Sequence, residues 1–140
     1  MRQRRGESII EQSRIISASP LAVYRAIADP GEHSAFTGAR ATGRARPGAA
    51  FTAWDGYVRG RTLVADPGRR LVQEWSTAEW PEGVAPSRLE WRFRRHPRGA
   101  CITLRQTGVP RSQVASYRKG WVEHYWRPLR AYYAARDGSP

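Results

Sequence analysis

Between Ala39 and Val109 the chain is cut at short intervals by Pro47-Gly48, Asp55-Gly56, Pro67-Gly68 and Arg98-Gly99. These pairs supply turn geometries that other residues adopt poorly, and the runs between them are rich in β-branched and aromatic residues. An antiparallel meander is the expected outcome, with strands near 39–44, 50–54, 57–65, 69–75, 87–95 and 100–107. The fifth is the clearest. Leu89, Trp91 and Phe93 alternate with Arg88, Glu90, Arg92 and Arg94, so one face is buried and the other wet. Leu71, Gln73 and Trp75 form a matching stripe before it, and Ile102 and Leu104 form one after it. Gln73 and Gln106 are polar residues set into these apolar stripes.

Upstream, the segment 8–17 reads as one more strand. Ser19-Pro20 then supplies an N-cap and a first-turn proline, and Leu21, Val23, Tyr24 and Ile27 follow at helical spacing until Asp29-Pro30. A second short helix is expected over about 31–36, ended by Thr37-Gly38. Downstream, Gly108-Val109-Pro110 breaks the last strand, Ser112 is the expected cap of a long helix, and Val114, Tyr117, Trp121, Tyr125, Leu129 and Tyr132 make a broad apolar stripe. Pro128 removes the bond to the carbonyl of His124 and is expected to bend that helix. The fold class is α+β: a strongly twisted antiparallel sheet of about seven strands wrapped around a long C-terminal helix, with two short helices after the first strand.

At 140 residues the chain fits one domain. Residues 8–136 are expected to form it, with a flexible basic tail at 1–7 and a short tail at 137–140. No run approaches the roughly twenty apolar residues of a membrane span, and no apolar segment follows the basic start, so the cytoplasm is the expected compartment. The single cysteine, Cys101, can form neither an internal disulfide nor a thiolate metal site. Net charge is +12, almost all of it arginine, since Lys119 is the only lysine. The arginines are scattered from Arg2 to Arg136, which suits a solvated surface and weak attraction to acidic partners better than a defined nucleic-acid site.

Nearly the whole chain resembles the SRPBCC (START-related) superfamily, and within it the family of activators of the ninety-kilodalton heat-shock chaperone's ATPase. The residues that carry the resemblance begin with Ile16-Ser17-Ala18-Ser19-Pro20, Val23-Tyr24, Ala26-Ile27, Asp29-Pro30 and Phe36-Thr37-Gly38. They continue through Gly48, Phe51, Trp54-Asp55-Gly56-Tyr57-Val58, Gly60, Leu71-Val72-Gln73-Glu74-Trp75, Trp80-Pro81, Ser87 and Leu89, to Gly120-Trp121 and Tyr125 with Pro128-Leu129. The resemblance implies a helix-grip fold. Its relatives bind hydrophobic ligands, catalyse cyclisations or hydrolyses in some branches, or serve as co-chaperones, and the co-chaperone is similar to this chain over its C-terminal domain, without the clamping N-terminal one.

Catalytic chemistry finds little support in the residues themselves. His33, His96 and His124 are isolated from one another and from any ligand at helical offset, so no metal and no cofactor is expected. No nucleophile sits beside a base, and no phosphate-cradling glycine loop is present. The aromatic set is the stronger signal. Six tryptophans and six tyrosines exceed what a small core needs, and their polar edges require partners when buried. The expected function is therefore non-enzymatic binding of a small, mostly hydrophobic molecule in a cavity between the sheet and the C-terminal helix, lined by Trp54, Gln73, Trp75, Leu89, Trp91, Trp121 and Tyr125. A co-chaperone-like or stress-related module meeting an acidic protein or a chaperone is the alternative, an enzyme of the cyclase or hydrolase kind the third, and the sequence leaves room for a homodimer. Asp55, Glu74 and Glu79 are candidates to orient a ligand, with Asp55 also a natural turn residue. Trp121 is expected to insert into the concave face, where a ring bordering a cavity would cost about 2 to 3 kcal/mol on truncation. Gly120 beside it implies close approach of another segment.

Overall fold

Ser19 accepts a hydrogen bond from the backbone N–H of Ala22 at 3.1 Å and starts a helix with Pro20 in its first turn. Asp29 then serves two helices at once. Its backbone N–H closes the first on Arg25, and its carboxylate caps the second by accepting from the N–H of Glu32 at 3.0 Å. In this computed structural model, which describes residues 9–137 with the side chains of 135–137 excepted, the order is β1 (Ile10–Ile16), α1 (Pro20–Ala28), α2 (Pro30–Thr37), β2 (Ala50–Ala53), β3 (Val58–Asp66), β4 (Arg70–Thr77), β5 (Ser87–His96) and β6 (Gly99–Thr107). A 3₁₀ turn, Arg111–Gln113, leads into α3 (Val114–Trp121), a π-helical turn (Val122–Trp126) and α4 (Arg127–Asp137). The tails expected at 1–7 and 138–140 lie outside the described residues.

The sheet is antiparallel throughout, in the order β1-β6-β5-β4-β3-β2, and the C-terminal helix covers its inner face. Among the described residues it has six strands. The strand expected near 39–44 contracts to a single bridge, Thr42 to Thr52. Gly43 explains why: it sits at φ +86, and a Cβ there would lie 2.3 Å from the carbonyl oxygen of Ala50, so the segment turns where a strand would run straight. Two helix details also differ from expectation. Ser112 lies inside the 3₁₀ turn and is not the cap, and Gln113 precedes α3 without a side-chain capping bond. Just before Pro128 the helix widens, the N–H of Arg127 reaching back to Val122, so the residue preceding the proline pairs five positions back.

Register puts the core in rows. Leu104, Trp91 and Leu71 lie side by side across β6, β5 and β4, while Gln106, Leu89, Gln73 and Thr62 form the neighbouring row. The two glutamines thus fall into one mixed row, and both are satisfied. Gln73 donates to Thr62 at 3.1 Å, and Gln106 donates to Ser87 at 3.0 Å while accepting from the Trp121 indole at 2.9 Å.

Arginine has two structural uses here. On the edge strand β1, where outward carbonyls would invite pairing with another chain, Arg118 donates to the carbonyl of Ile9 and Arg130 to that of Ile15. Both come from the C-terminal helix, so the charges also fasten helix to sheet. On the outer face, Arg70 and Arg92 are directly opposed cross-strand partners, and Glu90 pairs with both, at 2.9 and 2.8 Å. Burial alone would raise the Glu90 carboxyl, but the hydrogen bond and charge of Arg70, then Arg92, hold it below the usual range. Glu90→Gln is expected to cost about 1 kcal/mol at low salt, shrinking as salt rises, because these arginines are partly exposed. Urea melts at low and high ionic strength check it, and an unchanged midpoint in both would count against the pairing.

Candidate functional site

The β2–β3 hairpin brings the sheet edge up to the C-terminal helix, and an open groove of about 560 Å³ lies between them. Trp54, Trp75, Tyr117, Trp121 and Tyr125 form its aromatic walls, with Lys119, Glu123 and His124 along the helix side. Behind it, between sheet and helix, is a second space of only about 30 Å³, lined by Gln73, Leu89, Trp91 and His33 among others. Trp75, Trp121 and Tyr125 belong to both linings and partition the two. The seven residues singled out from sequence therefore fall into two groups, with Trp54 on the groove and Gln73, Leu89 and Trp91 at the inner space. The region directly beneath the helix is filled by rings: Trp91 meets Trp121, Tyr125 and Trp126 at centroid distances of 5.7 to 6.0 Å.

Three departures from local backbone rules converge on the groove. Trp54 and Asp55 have φ of +54 and +59, left-handed values that are uncommon for non-glycine residues and a real outlier for a residue as large as Trp. Asp55 holds this turn, its carboxylate accepting from the N–H of Arg40 at 3.0 Å and its own N–H donating to the Arg40 carbonyl at 2.9 Å. Opposite, the π-helical turn over Val122–Trp126 carries Tyr125. Third, Gly120 lies within α3, and a Cβ there would meet only His124 Cδ2, at 3.9 Å. No other segment approaches it. The expected reason for this glycine is thus corrected: it leaves open space on the groove side.

Tyr125 is the polar centre. The Trp54 indole N–H donates to its hydroxyl oxygen at 3.1 Å, and His33 Nε2 is 3.0 Å from the same oxygen. Burial pushes the Tyr125 hydroxyl far above its ordinary range, the Trp54 bond opposing this slightly, and burial lowers the His33 imidazole to about 4. The two groups are shifted apart from neutrality, so near pH 7 the tyrosine keeps its proton and the histidine stays neutral. His33 Nδ1 is buried with no hydrogen-bond partner.

The sequence did not mark His33 as part of the site. Its signal was the spacing of His33 and Phe36, three apart on one face of α2, both buried. Glu79 accepts from Tyr57 at 2.8 Å beside the groove, whereas Glu74 alternates to the outer face of β4 opposite Arg61 and Arg88. His124 is exposed, its ring edge-on to Trp54 at 5.3 Å. Among the described residues no cluster of three or more His, Cys, Asp or Glu could hold a metal ion, and no helix is long and apolar enough to cross a membrane.

Residues 17–134 match the family model described as "Activator of Hsp90 ATPase homolog 1-like protein". The chain belongs to this AHSA1 family. It is 30% identical over 113 residues to the human activator of 90 kDa heat shock protein ATPase homolog 1, covering 80% of this chain and 33% of that protein. A Dictyostelium discoideum homolog is 26% identical over 104 residues, covering 74% of this chain and 27% of that one. The chain thus spans about a third of the length of the curated relatives it matches. Among solved structures, an HSP90 activator from Plasmodium falciparum superposes with a TM-score of 0.78 at 17% identity, covering 95% of this chain and 98% of the other. The Aha1 dimer from Colwellia psychrerythraea gives 0.75 at 12% identity, over 88% and 94%. These structures share the helix-grip architecture of the AHSA1 family with this chain.

Proposed function

We propose that this AHSA1-family chain binds a small, mostly apolar, planar ligand in the groove between the β2–β3 hairpin and the C-terminal helix. The observation that carries the reading is that a helix glycine, a π-helical turn and a left-handed tryptophan all border one aromatic-walled groove of a size suited to a small molecule. Each costs local stability, and such costs are commonly retained where a site needs the shape.

Gly120 gives the test. Alanine at a helix-interior glycine is worth up to about 1 kcal/mol, and there is room for the Cβ, so Gly120→Ala is expected to raise the denaturation midpoint. Gly120→Leu projects a side chain into the groove and is expected to weaken binding of 1-methylindole at least tenfold, measured by calorimetry. Variants that are more stable yet bind less locate the ligand at the groove. Tight binding by Gly120→Leu would rule the groove out.

A second reading rests on the relatives, which are named as activators of an HSP90 ATPase. An acidic surface of such a chaperone would meet the arginine-rich outer face, in which Arg88, Arg92, Arg94 and Arg105 lie on β5 and β6. A pull-down at low ionic strength that recovers no chaperone would dispose of it.

A further inference from the structure

We propose that the groove selects ligands that carry a hydrogen-bond donor, an aromatic hydroxyl or ring N–H, which replaces the Trp54 indole on the hydroxyl oxygen of Tyr125. The inference rests on the groove being a ligand site and specifies which chemistry it takes. A tyrosine hydroxyl offers one proton and, its oxygen being conjugated with the ring, one good acceptor position. Trp54 Nε1–H occupies that acceptor position at 3.1 Å. The contact with His33 Nε2 at 3.0 Å has two possible directions. If His33 donated, Tyr125 would accept twice, its own proton would lack any hydrogen-bonded partner, and Nδ1 would remain an unpartnered acceptor. If Tyr125 donates, only Nδ1–H is left without a partner. Unpaired buried polar groups are costly, so the second arrangement prevails.

His33 is in this sense a positioning residue. It accepts a hydrogen bond from the Tyr125 hydroxyl and thereby leaves that oxygen to act as an acceptor toward Trp54. Its neutrality at ordinary pH, a consequence of burial, allows this role. The donor now on that oxygen is held by strained backbone, at φ +54, on a half-buried ring at the groove wall. An incoming donor therefore competes with a half-buried indole, while an ether or a hydrocarbon has no proton to offer the Tyr125 oxygen and leaves the Trp54 bond in place.

Indole and 1-methylindole form a matched probe pair, since the methyl group removes the only donor. Calorimetry on the intact chain is expected to show indole binding about two- to fivefold more tightly, less than one full net hydrogen bond because the bond Trp54 makes is given up in exchange. Tyr125→Phe is expected to erase that preference while 1-methylindole still binds. In Trp54→Gly, which suits the left-handed backbone and vacates the oxygen, both probes lose the indole wall, but the preference for indole over 1-methylindole should widen to about five- to tenfold, the size of one net hydrogen bond. Nitrogen-15 NMR of the His33 ring is expected to show the proton on Nδ1. Equal binding of the two probes, a preference that survives Tyr125→Phe and so reports only the bulk of the methyl group, or a proton on Nε2 would each overturn the inference while leaving the groove as a site. Binding of neither probe by the intact chain or by Trp54→Gly would overturn both. If Tyr125→Phe does not fold, the probe pair on the other two proteins decides.

Discussion

Trp121→Ala is expected to destabilise the chain by about 4 kcal/mol, near the middle of the range for removing a buried tryptophan. Sequence alone led to a smaller loss, because a ring bordering a cavity forfeits fewer contacts. Trp121 does line the groove, but its ring is enclosed enough to make most of its contacts. Trp121 is 4% exposed and packs against Trp75, Trp91 and Tyr125 at 5.5, 5.7 and 4.8 Å, and the space behind it is too small to relieve its removal. It also heads a polar relay. Its indole N–H donates to Gln106, Gln106 donates to Ser87, and Ser87 donates at 2.7 Å to the carbonyl of Trp75. Trp121→Phe separates the two contributions, keeping a ring but leaving the fully buried Gln106 oxygen without its donor, which is expected to cost about 1 to 3 kcal/mol. Denaturant melts of both variants measure this. A phenylalanine variant as stable as the parent would show that the relay contributes nothing, and an alanine loss under 2 kcal/mol would return the ring to a cavity edge.

The contrast shows what kinds of information the sequence carried. Alternation in β5 and its neighbours assigned Leu89, Trp91 and Phe93 to the inner face, Ser19-Pro20 and Asp29-Pro30 bounded the first short helix, and Thr37-Gly38 ended the second, because those signals depend on neighbours along the chain. The segment 39–44 misled because the backbone of Ala50 and Phe51, seven and eight residues on, leaves room only for a glycine at the turn of Gly43. What could not be read was any contact made by distant residues. Tyr125 was visible as part of a helical stripe, but the oxygen it shares with Trp54, 71 residues away, and His33, 92 residues away, depends on three elements meeting. The same holds for Arg118 and Arg130, which in sequence were surface charge and in the fold close the β1 edge. Gly120 was noticed but assigned the wrong cause, since periodicity shows that a helix tolerates a glycine and not which space it faces.

Acid should destabilise this chain mainly through His33, and in a window that identifies it. The imidazole is enclosed by Phe36 and Tyr125, at centroid distances of 5.2 and 5.4 Å, and the neighbouring Glu32 carboxylate is turned to the Tyr132 hydroxyl at 3.2 Å. Burial lowers its folded value to about 4, against about 6.5 when unfolded. Between those values the unfolded chain binds a proton that the folded chain refuses. Stability from this group is therefore complete above about pH 6.5, falls with pH through the window, and levels off below about 4. The separation corresponds to about 3 kcal/mol in all, with roughly 2 kcal/mol lost by pH 5. Glu90 acts in the same direction but at lower pH, because its folded value lies below the ordinary carboxylate range and its contribution fades only as that range is crossed. Urea melts of the parent and of His33→Gln at pH 7, 5.5 and 4.5 distinguish the two. Glutamine keeps an amide beside Tyr125 and carries no titrating proton, so the variant's stability should be nearly flat from pH 7 to 5.5 where the parent's already declines. Parallel slopes would mean that folded His33 takes up a proton as readily as the unfolded chain does, and below about pH 6.5 the Tyr125 hydroxyl would then have to accept a hydrogen bond from it rather than give one.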